Sequence, residues 1–520
     1  MISAREIEKK LQKRFDGGFK SLSDIPHPSL LKDSDIASER IAKAIFGKEK
    51  IVVIGDYDVD GVVSSAIAHL FFREINFPVE IVIPNRFSDG YGVSPELLEK
   101  VDADLVITVD NGIHAFRSAQ ILKERGTDFI ITDHHNPSDK LPDALAIVNP
   151  KREDCPYPYK EICGAEVIWL LLGEVKRVLG VNVDMGKFLH LIAIATVADV
   201  MPITNLNHSI VKNGLKILSK SNEPFVQVFR KFAKNGVFTS EDIAFQISPR
   251  LNASGRMLDA TLSFQFLISE NLAEANELFF QIDELNSRRK EIEKEMFDEV
   301  SKNIDLSNEI LMYSSKNMHE GIVGIVASRI VETFQKPTIL FSERDGIIKG
   351  SARSLGNIDI FEILKDSNHL FLKWGGHKMV GGLSLELDNL QTFQQRANSL
   401  MQKYADTDFE NSDETFGKID LKNLNLNLLQ TIDKFQPFGE QNRKPNFELH
   451  NVFIKDKISI GKEKDYQKLT LQNGDEVIKI LVFRKSRNFE IGENISIIFE
   501  PTINEFRGKT SIEGFFVKEI

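Results

Sequence analysis

The sequence predicts an α/β protein made of a parallel-sheet domain, a long spacer helix, a second α/β domain and a small carboxy-terminal β-barrel. Three observations predict it. Between Lys50 and Pro150, short β-branched apolar runs alternate with helix-compatible stretches, as in a parallel sheet covered on both faces. Leu272 to Lys302 carries Leu278, Ile282, Leu285 and Ile292 at helical spacing. From about Glu414 the texture changes to strand-like runs split by turn signals.

A chain of 520 residues is too long for one ordinary core, and the length suggests about three domains. The expected boundaries are 1–270 for the first domain with an amino-terminal extension, 271–302 for the connecting helix, 303–405 for the second α/β domain and 406–520 for the barrel. Hydrophobic content of 42% and charged content of 27% are ordinary for a globular protein. No apolar run approaches the roughly 18 residues of a membrane span, so no membrane association is expected. The start, MISAREIEKKLQKRF, is charged and lacks a signal-peptide core, which predicts a cytoplasmic protein. Cys155 and Cys163 fit a reducing compartment, and their spacing reads as two ordinary thiols rather than a metal hook. The net charge of −11 argues mildly against strong non-specific binding to nucleic acid. A global sum does not exclude a local basic face, and bound cations would offset clustered carboxylates.

In the first domain the strand runs are IVVI (Ile51–Ile54), VEIVI (Val79–Ile83), LVITV (Leu105–Val109) and FIIT (Phe129–Thr132). Each ends in polar residues: GDYDVDG, PNRFSDGYG, DNG and DHHNP. Open α/β sheets bind ligands beyond the carboxyl ends of their strands, so all four clusters are expected to face one crevice. FLHLIAIATVADVMPI (Phe188–Ile203) reads as a buried helix ending before Pro202. Asp199 near its end is a charge in an apolar setting that needs a partner, and reads either as an N-cap or solvent-facing end or as one more metal ligand. The highly charged middle of the connecting helix, SRRKEIEKE, reads as a solvated face. EILMYS, PTILFS and IIKGSARS are strands of the next domain, with KWGGHKMVGG (Lys373–Gly382) as its most unusual segment. FELHNVFI, QKLTLQ, VIKILVF, NISIIFEP and KTSIEGFFVKEI then give about five strands in roughly a hundred residues, a small barrel of the OB type.

GDYDVDG matches the opening of an EF-hand loop, but the twelfth position counted from Asp56 is Ile67 rather than Glu, so the calcium reading fails. No GK[ST] follows, so a phosphate loop fails too. What remains is a strand end at which Asp56, Asp58 and Asp60 alternate, on one side if the chain stays extended. Asp110 ends the third strand; Asp133, His134 and His135 end the fourth. Mixed oxygen and nitrogen donors suit Mn²⁺, with Mg²⁺ as a harder substitute. The set suffices for two ions with one bridging carboxylate, about 3.5–4 Å apart, able to clamp a phosphoester and activate water.

GDYDVDG, VDNG, TDHH and ATVADV, in this order, resemble the four motifs of the DHH phosphoesterase superfamily. The first domain is then a DHH domain and the second α/β domain is DHHA1-like. The resemblance implies that Asp58, Asp60, Asp110, His134 and Asp199 are catalytic metal ligands. Asp56 and His135 are further ligands or lie close behind them, His135 toward the scissile phosphate, and Asp133 orients a histidine. NRFSDGYG (Asn85–Gly92), SPRLNASGRM (Ser248–Met257), GSARS (Gly350–Ser354), WGGHKMVGG, the spacer helix and the OB-like end are similar to the RecJ branch, whose members are single-strand DNA exonucleases. That branch implies 5′ to 3′ polarity, mononucleotide products, a place in DNA repair and recombination, and single-stranded DNA as partner. A single-strand-binding protein and a helicase are its candidate protein partners, with a monomer as the expected state. Two departures stand out. The GGH segment continues as Val380-Gly381-Gly382 where Ala-Ala-Gly is common in the branch, and some longer members carry a further carboxy-terminal region.

The residues of these extra segments agree with the resemblance. Arg86, Arg250, Arg256 and Arg353 stand beside glycines or serines in turn-like contexts, and arginine holds phosphate bidentately. Small neighbours such as Gly375 and Gly376 let a nucleic-acid backbone approach. Asn252 and Ser351 add polar groups in the same motifs, His377 is a candidate for the scissile phosphate, and Tyr91 offers a face to a base. In the barrel, Phe453, Tyr466, Phe483, Phe506 and Phe516 are interleaved with Arg484, Lys485, Arg487, Arg507 and Lys509, a candidate stacking surface and basic patch. Two other functions fit parts of the chain: a DHH phosphodiesterase acting on short oligonucleotides or cyclic dinucleotides, and a non-catalytic DNA-binding relative.

Overall fold

In a computed structural model of the chain, residues 2–15, 18–409, 415–461, 466–483, 488–506 and 509–520 are described. The first sheet contains β1 (Ile51–Ile54), β2 (Glu80–Val82), β3 (Leu105–Val109), β4 (Asp128–Thr132) and β5 (Ala146–Val148) in the order β2-β1-β3-β4-β5. Every pairing in it is parallel. Four of these strands fall on the apolar runs; β5 is a three-residue strand that the pattern does not single out. The central strands β1 and β3 are buried on both faces because helices cover the sheet, while the edge strand β2 is partly exposed. Val62, Ala66, Leu171 and Ile192, from three of those helices, share one continuous core with Val53 and Ile107 of β1 and β3.

The connecting helix runs over Leu272–Asn303. Its charged middle is not wholly solvated: Asn286 and Arg289 are buried, and Arg289 hydrogen-bonds Asn286 and Glu293. The helix is flanked by protein on this side, so polar side chains there pair with one another instead of with water. The second sheet has the order β6-β7-β8-β10-β9, with β6 Leu311–Ser315, β7 Thr338–Arg344, β8 Ile347–Arg353, β9 Lys373–His377 and β10 Val380–Glu386. β6 and β7 are parallel and the other neighbours antiparallel. KWGGHKMVGG is therefore a β-hairpin, and His377 ends a strand.

The third sheet closes on itself. β12 (Asn446–Ile460) pairs with both β13 (Tyr466–Asn473) and β15 (Asn494–Phe506). β14 (Glu476–Val482) and β16 (Lys509–Glu519) complete the ring through a parallel β14–β16 pairing. This five-stranded Greek-key ring is the OB arrangement. A short β11 (Thr415–Lys418) adds to β12 outside it. The amino-terminal helix Ala4–Gln12 packs here: Ile7, Leu11 and Phe15 join the core of the barrel domain, and Ile2 N–H donates to Lys418 O at 2.9 Å. The start of the chain is thus part of the carboxy-terminal body rather than an extension of the first domain. Among the described residues, no helix is long and apolar enough to cross a membrane.

Candidate metal centre and nucleic-acid groove

The strand order of the first sheet reverses at β1 and β3, and in such a sheet the crevice beyond these two carboxyl ends is the expected ligand site. Asp56 follows β1 and Asp110 follows β3. Asp58 caps the helix Val59–Glu74, its carboxylate accepting from Gly61 N–H at 3.0 Å. Asp60 lies in that helix's first turn. The segment is therefore not extended, as the alternation of acids suggested; a helix begins between the second and third acid, and the turn itself brings the carboxylates together. Gly61 makes this possible, because a Cβ there would stand 2.6 Å from backbone atoms of Asp56.

Three sets of ligand atoms converge, each within 4.8 Å: Asp56, Asp58 and Asp110; Asp60, His134 and Asp199; and Asp110, His134 and His135. Asp110 occurs in two of them and has a left-handed backbone, φ 63°, which an aspartate tolerates better than most residues. Asp60 accepts from Gly164 N–H at 2.6 Å and Ala165 N–H at 2.8 Å, the free amides at the start of the helix Gly164–Leu179. Asp199 sits just past the helix Leu189–Ala198 and reaches His134, Nε2 to Oδ2 3.5 Å.

His134 Nε2 also lies 3.2 Å from Asp110 Oδ1 and 3.6 Å from Asp60 Oδ2. Yet both ring nitrogens and Asp110 Oδ1 are buried without a hydrogen bond. Buried polar atoms that converge without bonding one another are costly unless a further group satisfies them. A divalent cation fits: the donors are carboxylate oxygens and imidazole nitrogens at ligand separation. Burial first, and neighbouring carboxylates second, push Asp56, Asp110 and Asp199 well above the usual carboxylate range and Asp60 to about 6. A cation would reverse that pressure. Burial, followed by the charge of His135, drives His134 down to about 3, the neutral form that ligates metal.

His135 differs from its neighbour. Its Nδ1 lies 2.7 Å from Asp133 Oδ1, and 45% of its side chain is exposed. Burial opposes its charge, but the Asp133 contact and nearby carboxylates outweigh that and raise it to about 9. Asp133 accepts the backbone N–H groups of His134, His135 and Ile113. The histidine it orients is thus His135.

A groove of about 910 Å³ opens from His135 and Asp133 and is lined by Arg86, Tyr91, Gly376 and His377 among others, so the first domain and the β9–β10 hairpin face one another. The Arg86 guanidinium lies 4.0 Å from the Tyr57 ring centre, and its Nε is buried without a partner. Tyr91 is 52% exposed. Arg353 contacts Ser351 Oγ at 2.7 Å and Ser328 Oγ at 3.2 Å, while Gly375 is exposed on β9. SPRLNASGRM is a helix, not a turn. Residues six apart on a helix point in different directions, and this separates its two arginines. Arg256 is lowered to about 10 by burial and then by the charge of Arg86, with Asp58, Arg289 and Arg353 also near. Arg250 is instead engaged by Asp283 at 2.8 Å and by Gln246 O at 2.7 Å, on the side of the connecting helix. Asn252 is half-buried on the same helix.

On the barrel, Phe453, Phe483 and Phe515 are exposed. Phe483 joins Tyr466 at 5.4 Å and Phe515 at 5.9 Å, ring centre to ring centre. Phe516 packs inward on Phe489. Arg484, Lys485, Arg487 and Arg507 lie outside the described residues, as do the side chains of Phe506 and Lys509. Sequence reasoning missed the Gly164 and Ala165 amides behind Asp60 and the Tyr57 ring beneath Arg86. A glycine opening a helix pattern was a signal for the first; nothing local signalled the second.

Comparison with known proteins agrees with this architecture. Residues 50–196 match the family model for the DHH family, N-terminal domain, residues 307–403 that for the DHHA1 domain, and residues 417–516 that for the RecJ OB domain. The single-stranded-DNA-specific exonuclease RecJ of Haemophilus influenzae is 32% identical over 530 residues, covering 95% of this chain and 92% of that protein. The same-named protein of Bacillus subtilis is 34% identical over 505 residues, but the chain spans only 63% of its length. The crystal structure of Thermus thermophilus RecJ in complex with Mn²⁺ superposes with a TM-score of 0.82 at 27% identity, covering 94% of this chain and 72% of that one. A manganese-bound RecJ exonuclease gives 0.64 at 31% identity, over 74% and 97%. With its three domains in order and its sequence aligned nearly end to end with the Haemophilus protein, the chain belongs to the RecJ family of single-stranded-DNA-specific exonucleases.

Proposed function

We propose that this chain is a metal-dependent exonuclease that degrades single-stranded DNA 5′ to 3′ to mononucleotides, acting in DNA repair and recombination. The convergence of Asp56, Asp58, Asp60, Asp110, His134 and Asp199 on one mouth, with His134 and Asp110 atoms buried and unbonded, is the observation that carries it. These residues hold two divalent ions, Mn²⁺ in preference to Mg²⁺ because imidazole joins the carboxylates. When bound, such a pair supplies Lewis acidity at the phosphoester and activates water. His135, charged and braced by Asp133, faces the groove and stabilises the scissile phosphate. His377 approaches the same phosphate from the second domain. Arg86, Arg256, Ser351 and Arg353 hold the terminal phosphate of the strand, and Tyr91 stacks a base. Gly375 and Gly376 leave room for the DNA backbone.

Polarity is carried by family membership. The same reading makes the protein a cytoplasmic monomer that works with a helicase and a single-strand-binding protein. A phosphodiesterase for dinucleotides is less well supported, since the OB-like ring with outward Tyr466, Phe483 and Phe515 suits a longer strand. A non-catalytic relative would have no need of so many convergent donors. The test uses purified protein, Mn²⁺ and a long single strand labelled at either end. Early release of labelled mononucleotide from the 5′ end is expected; early release from the 3′ end would overturn the polarity, and brisk hydrolysis of dinucleotides alone would move the protein to the small-substrate branch.

A further inference from the structure

The second sheet presents a feature that the cleavage chemistry does not use. The register of β8, β10 and β9 sets three rows of directly facing residues: Arg353–Val380–His377, Ser351–Gly382–Gly375 and Lys349–Ser384–Lys373. Residues two apart on a strand share a face, so the rows stand on one side of the sheet. The alternate residues Ile348, Ala352, Leu383 and Leu385 are buried on the other. The first row ends in the guanidinium and imidazole assigned above to phosphate. Beyond Ser351 the middle row is bare, because a Cβ on Gly382 or on Gly375 would meet nothing within 4 Å. The third row ends in two exposed lysines.

Lys349 and Lys373 line the same groove as Arg86 and His135, and Arg117 and Phe116 line it from the first domain. Phe116 is exposed. Lys349 lies 3.0 Å from Glu320, with the lysine 59% and the carboxylate 34% exposed, a solvent-screened pairing too weak to withhold the lysine from a phosphate. Four residues of strand separate the outer rows by about 13 Å. One phosphate held by Arg353 and Ser351 does not span that distance, so a cation pair at the far row must serve another. Between the rows, the bare glycines let a sugar–phosphate backbone lie close on the strand peptides.

We infer that the Lys349–Lys373 row, with Arg117 across the groove, is a second phosphate-binding subsite, distinct from the cleavage site. It takes a further phosphate of the bound nucleic acid. This rests on the single-strand reading above. The phosphate comes either from the interior of the strand or from additional phosphates at its 5′ end.

The test measures binding of oligodeoxynucleotides over a range of salt, on an uncleaving D110N background, with and without K349Q/K373Q. Each phosphate contact on a single strand contributes about 0.7 to the slope of log K against log salt. The double substitution, which removes one such contact, is therefore expected to lower the magnitude of that slope by about 0.7. K316Q/K365Q, at exposed lysines of the same domain that do not line the groove, leaves it unchanged. The fall appearing equally with 5′-hydroxyl and 5′-monophosphate strands identifies an interior phosphate. Its appearing only with 5′-triphosphate strands assigns the row to the extra terminal phosphates. An unchanged slope on all three overturns the subsite. Failure of the wild-type protein to cut single strands would instead overturn the nuclease reading, and that is read without the lysine variants.

Discussion

The two walls of the groove are built on opposite principles. On the first domain, carboxylates and a neutral histidine are buried at the end of a parallel sheet, close enough to repel or strand one another. On the facing sheet, Gly375, Gly382, Lys373 and His377 stand exposed on a hairpin, with open space above the two glycines. The first wall concentrates strain that a cation relieves, which suits chemistry that depends on fixed charge. The second offers cations on an uncluttered surface, which suits a backbone that must slide. The contrast teaches where substitutions should be felt: folding and catalysis answer together at the mouth, whereas at the hairpin's exposed glycines and lysines binding changes without folding.

The sharpest way to break the contrast is Asp110→Asn. Asparagine keeps the left-handed backbone and removes a charge that burial and neighbouring carboxylates disfavour. Nuclease activity is expected to fall by about 10³-fold or more, the scale on which one charge-stabilising group acts, while the metal-free protein melts at a higher temperature. A fall in both would show that the mouth is not strained. Next come two glycines. Gly61→Ala places a Cβ 2.6 Å from backbone atoms of Asp56 and is expected to cost about 1–3 kcal/mol of stability, seen in denaturant melts, along with activity. Gly382→Val meets open space and is expected to leave the melt unchanged while weakening strand binding severalfold by anisotropy. Equal melts for the two variants would erase the distinction between the walls.

Asp133→Asn tests the brace on His135. Loss of an orienting partner of this kind typically costs about 10–100-fold in activity or metal affinity. It also has a pH signature in the metal-free protein. His135 is raised from 6.5 to about 9, so its pairing stabilises fully below 6.5 and loses that contribution as pH rises through about 9. Asp133 is lowered from 3.8 to about 2, burial being outweighed by its hydrogen bonds, so its contribution is present above 3.8 and lost as pH falls through about 2. The difference in Tm between wild type and D133N should therefore be largest between about pH 4 and 6.5. A difference that grows toward pH 10 would contradict the pairing.

Much of this was legible in the chain itself. The strands β1, β3 and β4 are β-branched apolar runs, and the rule that ligands gather at their carboxyl ends located Asp56, Asp110 and His134 together before any contact was known. What pattern could not supply is direction. Nothing in GDYDVDG states that Asp58 caps a helix instead of continuing a strand. Nothing in SPRLNASGRM separates Arg256, beside Arg86 and Asp58, from Arg250, which the connecting helix takes up. Contacts between distant segments were equally silent: the amino-terminal helix enters the core of the barrel domain through Ile7 and Leu11, and Asp60 rests on amides of Gly164 and Ala165. The three residues of β5 were too short to register as a strand.

The most direct test of the central claim is a Mn²⁺ titration of the metal-free protein, followed by electron paramagnetic resonance of the unbound ion, beside the same titration of D110N. Two ions bound per chain, with at least one lost when Asp110 is neutralised, is the result expected of a mouth in which that carboxylate serves two donor sets. Wild-type protein that binds no Mn²⁺, or D110N that binds as much as wild type, would contradict it.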